Sequence, residues 1–423
     1  MAYANTEFAS KLAPIVDLDD PTFDPFIGDE KANGDTLDIW SIFHALEAEG
    51  LVHHREYRRI FSPTPNAVLA PYNLDYYTVF GYDNCAQAIL NADVFSNRPL
   101  AMTIGTAFGA TISGMDAPDH SRYRRIFQKA FLPHMVRQWG EAIVDPVVED
   151  LLDKVSGAGR CDLVKDFTFH YPFQVIYRQL NLPTSDIKTF HKLATAQTSF
   201  FYAPDKAVEA GEKLGVYFTN MVRARRDDPG DDLVSALSLA EVEGERLPEE
   251  IVVSFLRQLT NAAGDTTYRG TSALLTGLLT NPEQLRAVRE DRSLVAAAIE
   301  EALRWEPPVM TAMRMPTRDI EIDGHTIPKG AWVDFILGSA NHDARKYPNP
   351  DQFDIFRSRL TRHIAFASGP HVCIGQHLAK VEMERALNAI LDRLPALRLD
   401  PDMPPPQMRG FRARMPTHLA VRF

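Results

Sequence analysis

Residues 363–380 read HIAFASGPHVCIGQHLAK and contain one of only three cysteines in the 423-residue chain. Cys373 follows a Gly-Pro turn and precedes a helical pattern in which Ile374, Leu378, Val381, Leu387, Ile390 and Leu391 are apolar among polar neighbours, ending before Pro395. A helix N-terminus offers unpaired N–H groups and the positive end of a dipole, a setting that favours a thiolate. Gly369 and Gly375 flank the thiol and permit a bulky flat group to approach the backbone, and Phe366 is placed to shield the sulfur from water.

The rest of the chain sets the context for that thiol. Hydrophobic residues make up 45% and charged residues 24%, the balance of a soluble globular protein, and the length suits either a large single domain or two to three smaller ones. No apolar run approaches the roughly 20 residues that span a bilayer. The opening residues lack the basic-then-apolar order of a signal peptide, so the expected location is cytoplasmic and no membrane partner is expected. With 45 basic against 56 acidic residues the net charge is −11, which argues against nucleic acid as a partner. Cys85, Cys161 and Cys373 are odd in number and far apart, which excludes a disulfide framework, and no CxxC or His-Cys cluster suggests zinc.

Residues 1 to about 30 read as an irregular lead. A β-like patch follows at about 52–80, helical patterns dominate from there to about 306, and short strands return between about 315 and 340. Residues 343–372 are rich in turn formers, and so long an irregular stretch in a compact protein is usually functional. The fold class is mainly α with a minor β region, in one domain.

LPEEIVVSFLRQLTNAAGDTTYRGTSALLTGLLTNPEQL reads as one unusually long helix, opened by Pro248 in the first turn and stopped by Asn281-Pro282. Its middle, Ala262 to Thr267, is poor helix material: Gly264 costs ~1 kcal/mol relative to alanine, and threonine hydroxyls can take backbone carbonyls and open the ladder. Two readings remain, a tight helix crossing at Ala-Ala-Gly or a groove holding an acid, Asp265, beside an alcohol, Thr266. Further on, Glu301 and Arg304 share a helical face, and Arg357 follows in PDQFDIFR. Arginine can grip a carboxylate bidentately while donating to backbone carbonyls, so a Glu301–Arg304–Arg357 cluster could pin the irregular segment to the helix.

Cys373 itself has three readings: a structural thiol, a nucleophile with His371 as base, or a thiolate ligand of haem iron. FASGPHVCIGQHLA resembles the haem-ligand signature of the cytochrome P450 family at every fixed position, Phe366, Gly369, Cys373 and Gly375. EALR with Arg357 is similar to that family's Glu-x-x-Arg triad, and AAGDTT to the oxygen-binding motif of its central helix. Ala263 and Ala367 stand where many relatives have glycine.

The resemblance implies a triangular single domain with a long helix over the haem, with haem b on Cys373 as proximal thiolate and dioxygen as co-substrate. It implies His120 and Arg124 (in MDAPDHSRYRR), Arg314 and His371 at the propionates, and Thr266 with Asp265 delivering protons during dioxygen cleavage. Over the haem it places loop 97–114, Phe200, Phe201 and Tyr202, Leu259 and Ala262, the run Val309, Met310 to Met313, and MRGFRARMP near the C-terminus, for a hydrophobic substrate. The chain carries no flavin- or iron–sulfur-binding extension, so electrons should come from a ferredoxin and its reductase, steered by Arg122, Arg125, Lys129, Arg362 and Lys380. A peroxide-driven peroxygenase, a haem-based sensor and a cysteine hydrolase are the competing functions.

Overall fold

Between Pro248 and Asn281 the sequence pattern produces a single α-helix, Glu249–Thr280, of 32 residues, about 48 Å long. It is the longest element of a computed structural model that describes residues 12–62, 66, 68–242, 244–358 and 361–423. Pro248 lies just outside the helix in extended backbone instead of in its first turn. The expected interruption does not occur. Thr266 Oγ1 does donate to Ala262 O, at 2.9 Å, yet the helix runs unbroken through residues 262–267. Gly264 supports the tight-crossing reading of this motif: a Cβ there would come within 2.4 Å of the Phe173 ring, so the glycine serves a close crossing with the helix Tyr171–Gln179.

Two large apolar clusters share this helix. Its first part, including Phe255, Leu256, Leu259 and Tyr268, packs with Phe127, Phe173 and Phe218, and Phe255 stacks on Phe127 at 3.9 Å. Its last turns, Leu274 to Leu279, pack with Leu151, Phe167, Ile299 and Leu387. No boundary separates the two cores, because one rod belongs to both.

The largest sheet among the described residues has five strands in the order Val52–His53, Tyr76–Val79, Trp332–Ile336, Thr311–Pro316, Phe95–Ser96, and smaller two- and three-stranded sheets accompany it. Among the described residues of the β-like patch at 52–80, only the two ends are strands. A short helix, Arg58–Phe61, lies between them, and residues 63–65 and 67 are outside the described residues. The irregular lead is likewise shorter than expected. Asp24 caps a helix, Pro25–Asn33, by accepting from the N–H groups of Phe26 and Ile27, a cap-and-proline start legible in the sequence; residues 1–11 are outside the described residues. Segment 343–372 is irregular as expected, apart from residues 359–360, which are also not described.

The central strand buries an acid. Asp334 is buried opposite Met313 and Thr78, and its pKa is pushed up to about 7, chiefly by burial and further by Glu56, against hydrogen bonds from Trp332 and the Tyr57 backbone. The unfolded carboxyl titrates near ~3.9. Between those two values the folded state keeps a proton that the unfolded chain has released, so stability falls as pH rises from about 4 to about 7 and then levels. Asp334→Asn is therefore expected to stabilise the protein by roughly 2–4 kcal/mol at about pH 8 and very little at about pH 4, read by urea unfolding at both.

Candidate active site

The Glu301–Arg304–Arg357 cluster forms as the sequence suggested. Arg304 grips Glu301 with two bonds of 2.7 and 2.8 Å, both side chains are buried, and Arg357 Nε adds a third at 3.2 Å. Arg304 also donates to the carbonyls of Asn341, Pro350 and Gln352, and Glu301 accepts the Asp354 N–H. An acid and two cations from distant parts of the chain thus fix the path of residues 341–357, and the chain continues from there to Cys373.

Cys373 N–H donates to Phe366 O at 2.9 Å, which curls the loop back before the helix Gln376–Arg393 begins. The thiol opens into a cavity of about 390 Å³. The N–H groups of Gly375 and Gln376 point at the sulfur, as expected of a helix start. The sulfur is accessible from the cavity, yet the surrounding protein raises the thiol pKa, with those amides and Arg124 acting in the opposite direction.

The cavity gathers most of the expected residues. The long helix contributes Leu259, Ala262, Ala263, Thr266 and Thr267; the segment entering the sheet contributes Val309, Met313 and Arg314; and the thiol loop contributes Phe366, Ala367, His371, Cys373 and Gly375. Asn97, Leu100, Ile112 and Ser113 close it from loop 97–114.

Several expectations are corrected. Met310 is buried in a separate cluster with Phe43 and Phe80, because strand-like alternation turns it away from Val309 and Thr311. Asp265 does not share the cavity with Thr266. Its carboxylate is held by Arg269 at 2.9 and 3.1 Å, and Arg269, itself buried, also binds Asp29. Phe200 packs with Ala107 and Ala207, Phe201 lies between the guanidinium groups of Arg58 and Arg412, and Tyr202 donates to Pro25 O; none of the three lines the cavity. MRGFRARMP is occupied elsewhere too, with Arg412 on Asp29 and Arg414 in a buried pair with Glu306 at 2.7 Å. In the proposed cationic patch, Lys380 is drawn to Glu300 and over the Phe366 ring, whereas Arg125, Lys129 and Arg362 are exposed.

Glu382 was missed. It lines the cavity, is buried, has an Oε2 with no hydrogen-bond partner, and burial holds its carboxyl well above the usual range. Its signal was a glutamate in register with Leu378 and Ala386, four residues either side, on the apolar stripe of the helix.

The edge of the cavity is positively charged. Arg124 and Arg314 lie there, His120 and His371 stack at 3.8 Å, and His120 Nε2 is buried without a partner. Burial, His120 and the two arginines push the His371 pKa down to about 3, and burial lowers Arg314 to about 10. The nearest carboxylate, Asp116, is already engaged by the Ser96 hydroxyl and the Asn97 N–H.

Comparison with known proteins decides what kind of site this is. The family model described as Cytochrome P450 matches residues 197–419. "Putative cytochrome P450 YjiB" of Bacillus subtilis (strain 168) is 32% identical over 331 residues, 75% of this chain and 82% of that protein. "Cytochrome P450 monooxygenase PikC" of Streptomyces venezuelae is 32% identical over 395 residues, 89% and 90% of the two chains. The ligand-free structure of cytochrome P450 TbtJ1 superposes with a TM-score of 0.79 at 30% identity, covering 91% of this chain and 96% of that one. This chain belongs to the cytochrome P450 family. It is a P450 oxidoreductase, and membership brings haem as cofactor and dioxygen as a substrate.

The residues of this P450 fit that cofactor: a thiol opens into an apolar chamber, and cations with an unpartnered imidazole nitrogen stand at the edge where a porphyrin's two carboxylates need counter-charges. The fit has one local cost. Ala367, lining the cavity where many P450s have glycine, is held at φ +57°, a left-handed conformation that strains a Cβ. Ala367→Gly is expected to stabilise the protein by about 0.5–1 kcal/mol, read as a small rise in the urea midpoint with haem content unchanged.

Proposed function

We propose that this P450 is a haem-thiolate monooxygenase that inserts one oxygen atom of dioxygen into a C–H or C=C bond of an apolar small molecule. The other oxygen atom leaves as water, with two electrons from a separate ferredoxin and its reductase. The observation that carries this reading is that Cys373 and Thr266 line one largely apolar cavity with a cationic edge. Bound as haem b through Cys373, the cofactor would supply an iron that the electron-rich sulfur makes competent to cleave dioxygen.

The chain's own groups do the rest. Arg124 and Arg314 would supply the counter-charge to the propionates, and His371 and His120, kept neutral by burial, would add hydrogen bonds that help orient the cofactor. Phe366, Leu259, Ala262, Val309 and Met313 exclude water and present the substrate with an uncharged surface. Thr266 supplies protons at its Oγ1, whose hydrogen is directed at Ala262 O, so delivery into the cavity requires that 2.9 Å bond to open. Asp265 can resupply Thr266 only by releasing Arg269, which makes it a gated proton source one step removed from the cavity. An alcohol kept in the lining favours dioxygen over peroxide as oxidant. Arg125, Lys129 and Arg362 offer an acidic electron donor a cationic approach. The three free cysteines suit a reducing cytoplasm.

The haem-loaded protein, reduced under carbon monoxide, should give the red-shifted Soret band of thiolate ligation; a band at the imidazole-ligated position would refute the reading. Thr266→Ala is expected to keep that band and to consume reductant at a comparable rate while converting less of it to product. Product loss of roughly a hundredfold with matching peroxide release is the expected readout, the lower end of the usual ~10²–10⁴-fold range of a positioned proton donor. Unchanged coupling would remove Thr266 from the proton path.

A further inference from the structure

The cavity is mostly apolar, but it holds one polar pair that the proposed chemistry does not use. Gln258, on the long helix, donates from Nε2 to Ser113 Oγ at 2.6 Å, and both residues line the cavity. Ser113 belongs to loop 97–114 and lies in the short turn Ile112–Gly114. Among the described residues, Gln258 Oε1 accepts no hydrogen bond and the Ser113 hydroxyl donates none. The amide–hydroxyl pair therefore faces the chamber with one free acceptor and one free donor, each half-buried and costly to leave without a partner once a ligand displaces water.

Gln258 stands eight residues before Thr266 on an unbroken helix, about 12 Å away along the axis. Leu259, Ala262 and Ala263 fill the stripe between them. A ligand that reached from the proton-delivering alcohol to the polar pair would lie along an apolar wall and end on a group able both to accept from Ser113 and to donate to Gln258. We propose that Gln258 and Ser113 are specificity-determining residues that read a neutral hydroxyl or carboxamide on an otherwise apolar substrate, at the end opposite the carbon that is oxidised. Charge plays no part in this reading. Arg124 and Arg314 also line the cavity, and in the haem-bound protein the propionates would take their charge. This inference rests on the monooxygenase reading and narrows its substrate class.

Three probes of equal chain length test it by calorimetric titration of the haem-loaded protein: dodecanol, methoxydodecane and dodecanoic acid. The ether can accept from Ser113 but has no hydrogen to give Gln258. Dodecanol is expected to bind about tenfold more tightly than the ether, the effect of a hydrogen bond at the upper end of its usual net range. Gln258→Leu should bring the alcohol-to-ether ratio close to one. Ser113→Ala should weaken alcohol and ether alike and leave most of their ratio, a pattern that a general loosening of the loop would not give. Equal affinities in the wild type, or a ratio that survives Gln258→Leu, would overturn the proposal. So would tighter binding of the ionised acid, since it would mean that the arginines read the ligand. The carbon monoxide spectrum of the same samples reports on the haem-thiolate reading alone, so a failure there is told apart from a failure here.

Discussion

Cys373→Ala is expected to abolish the red-shifted carbon monoxide band and reduce monooxygenase turnover to background, while leaving the polypeptide folded. The two outcomes separate because the thiol does little for the fold. Its side chain opens into the cavity, and the bond that curls its loop is made by the backbone, Cys373 N–H to Phe366 O. Removing the sulfur forfeits its contacts with the amides of Gly375 and Gln376, which contribute about 1 kcal/mol at most. Helical circular dichroism and the urea midpoint of the cofactor-free protein should therefore stay close to wild type. A surviving thiolate band would mean that another ligand holds the iron, and the account of the site would fall with it. A chain that fails to fold would show instead that the thiol was structural.

The largest expected loss of stability follows from Arg304→Ala. The substitution removes five hydrogen bonds at once, two to Glu301 and three to the carbonyls of Asn341, Pro350 and Gln352. It leaves Glu301 buried, held only by Arg357 at 3.2 Å and the Asp354 N–H. Leaving a buried charge without its main partner costs about 3–5 kcal/mol, a large share of a typical folding free energy. Arg304→Lys should rescue little, since a single ammonium cannot reproduce a planar fork that serves one carboxylate and three carbonyls. Urea unfolding and haem content should fall together, because the segment released is the one that leads to Cys373. A shift below about 1 kcal/mol would reduce this cluster to an ordinary surface ion pair.

Much of the site was legible because its signals are local. Cys373, Phe366 and the two flanking glycines lie within ten residues, and their spacing alone sets a turn, a helix start and an exposed sulfur. Glu301 and Arg304 share one helical face for the same reason. What failed was orientation decided at long range. Asp265 and Thr266 are adjacent in sequence but diverge around the helix, and the fate of Asp265 is settled by Arg269, four residues on, and by Asp29, which sequence places far away. The arginine was visible at the right spacing, but its burial was not. Met310 differs from Val309 by one position in a strand-like run, and only the packing of Phe43 and Phe80 shows which of the two faces the chamber. Phe200 and Phe201 lie in an aromatic stripe, a pattern more often core than lining; Phe200 is buried, and Phe201 packs half-buried between Arg58 and Arg412. Glu382 could have been suspected from its stripe, yet its lack of a partner is a property of the assembled interior.

The rod that runs through both apolar cores has a mechanical consequence. Any ligand that shifts Leu259 or Thr266 pushes on a rigid beam whose far end is clamped among Leu274, Leu278 and Leu387, so the chamber cannot enlarge by bending that wall. Adaptation to bulkier guests then falls to the other side, where the short helices and turns between residues 97 and 114 close the space and are tied to the beam by the Ser113–Gln258 bond, which must open for them to yield.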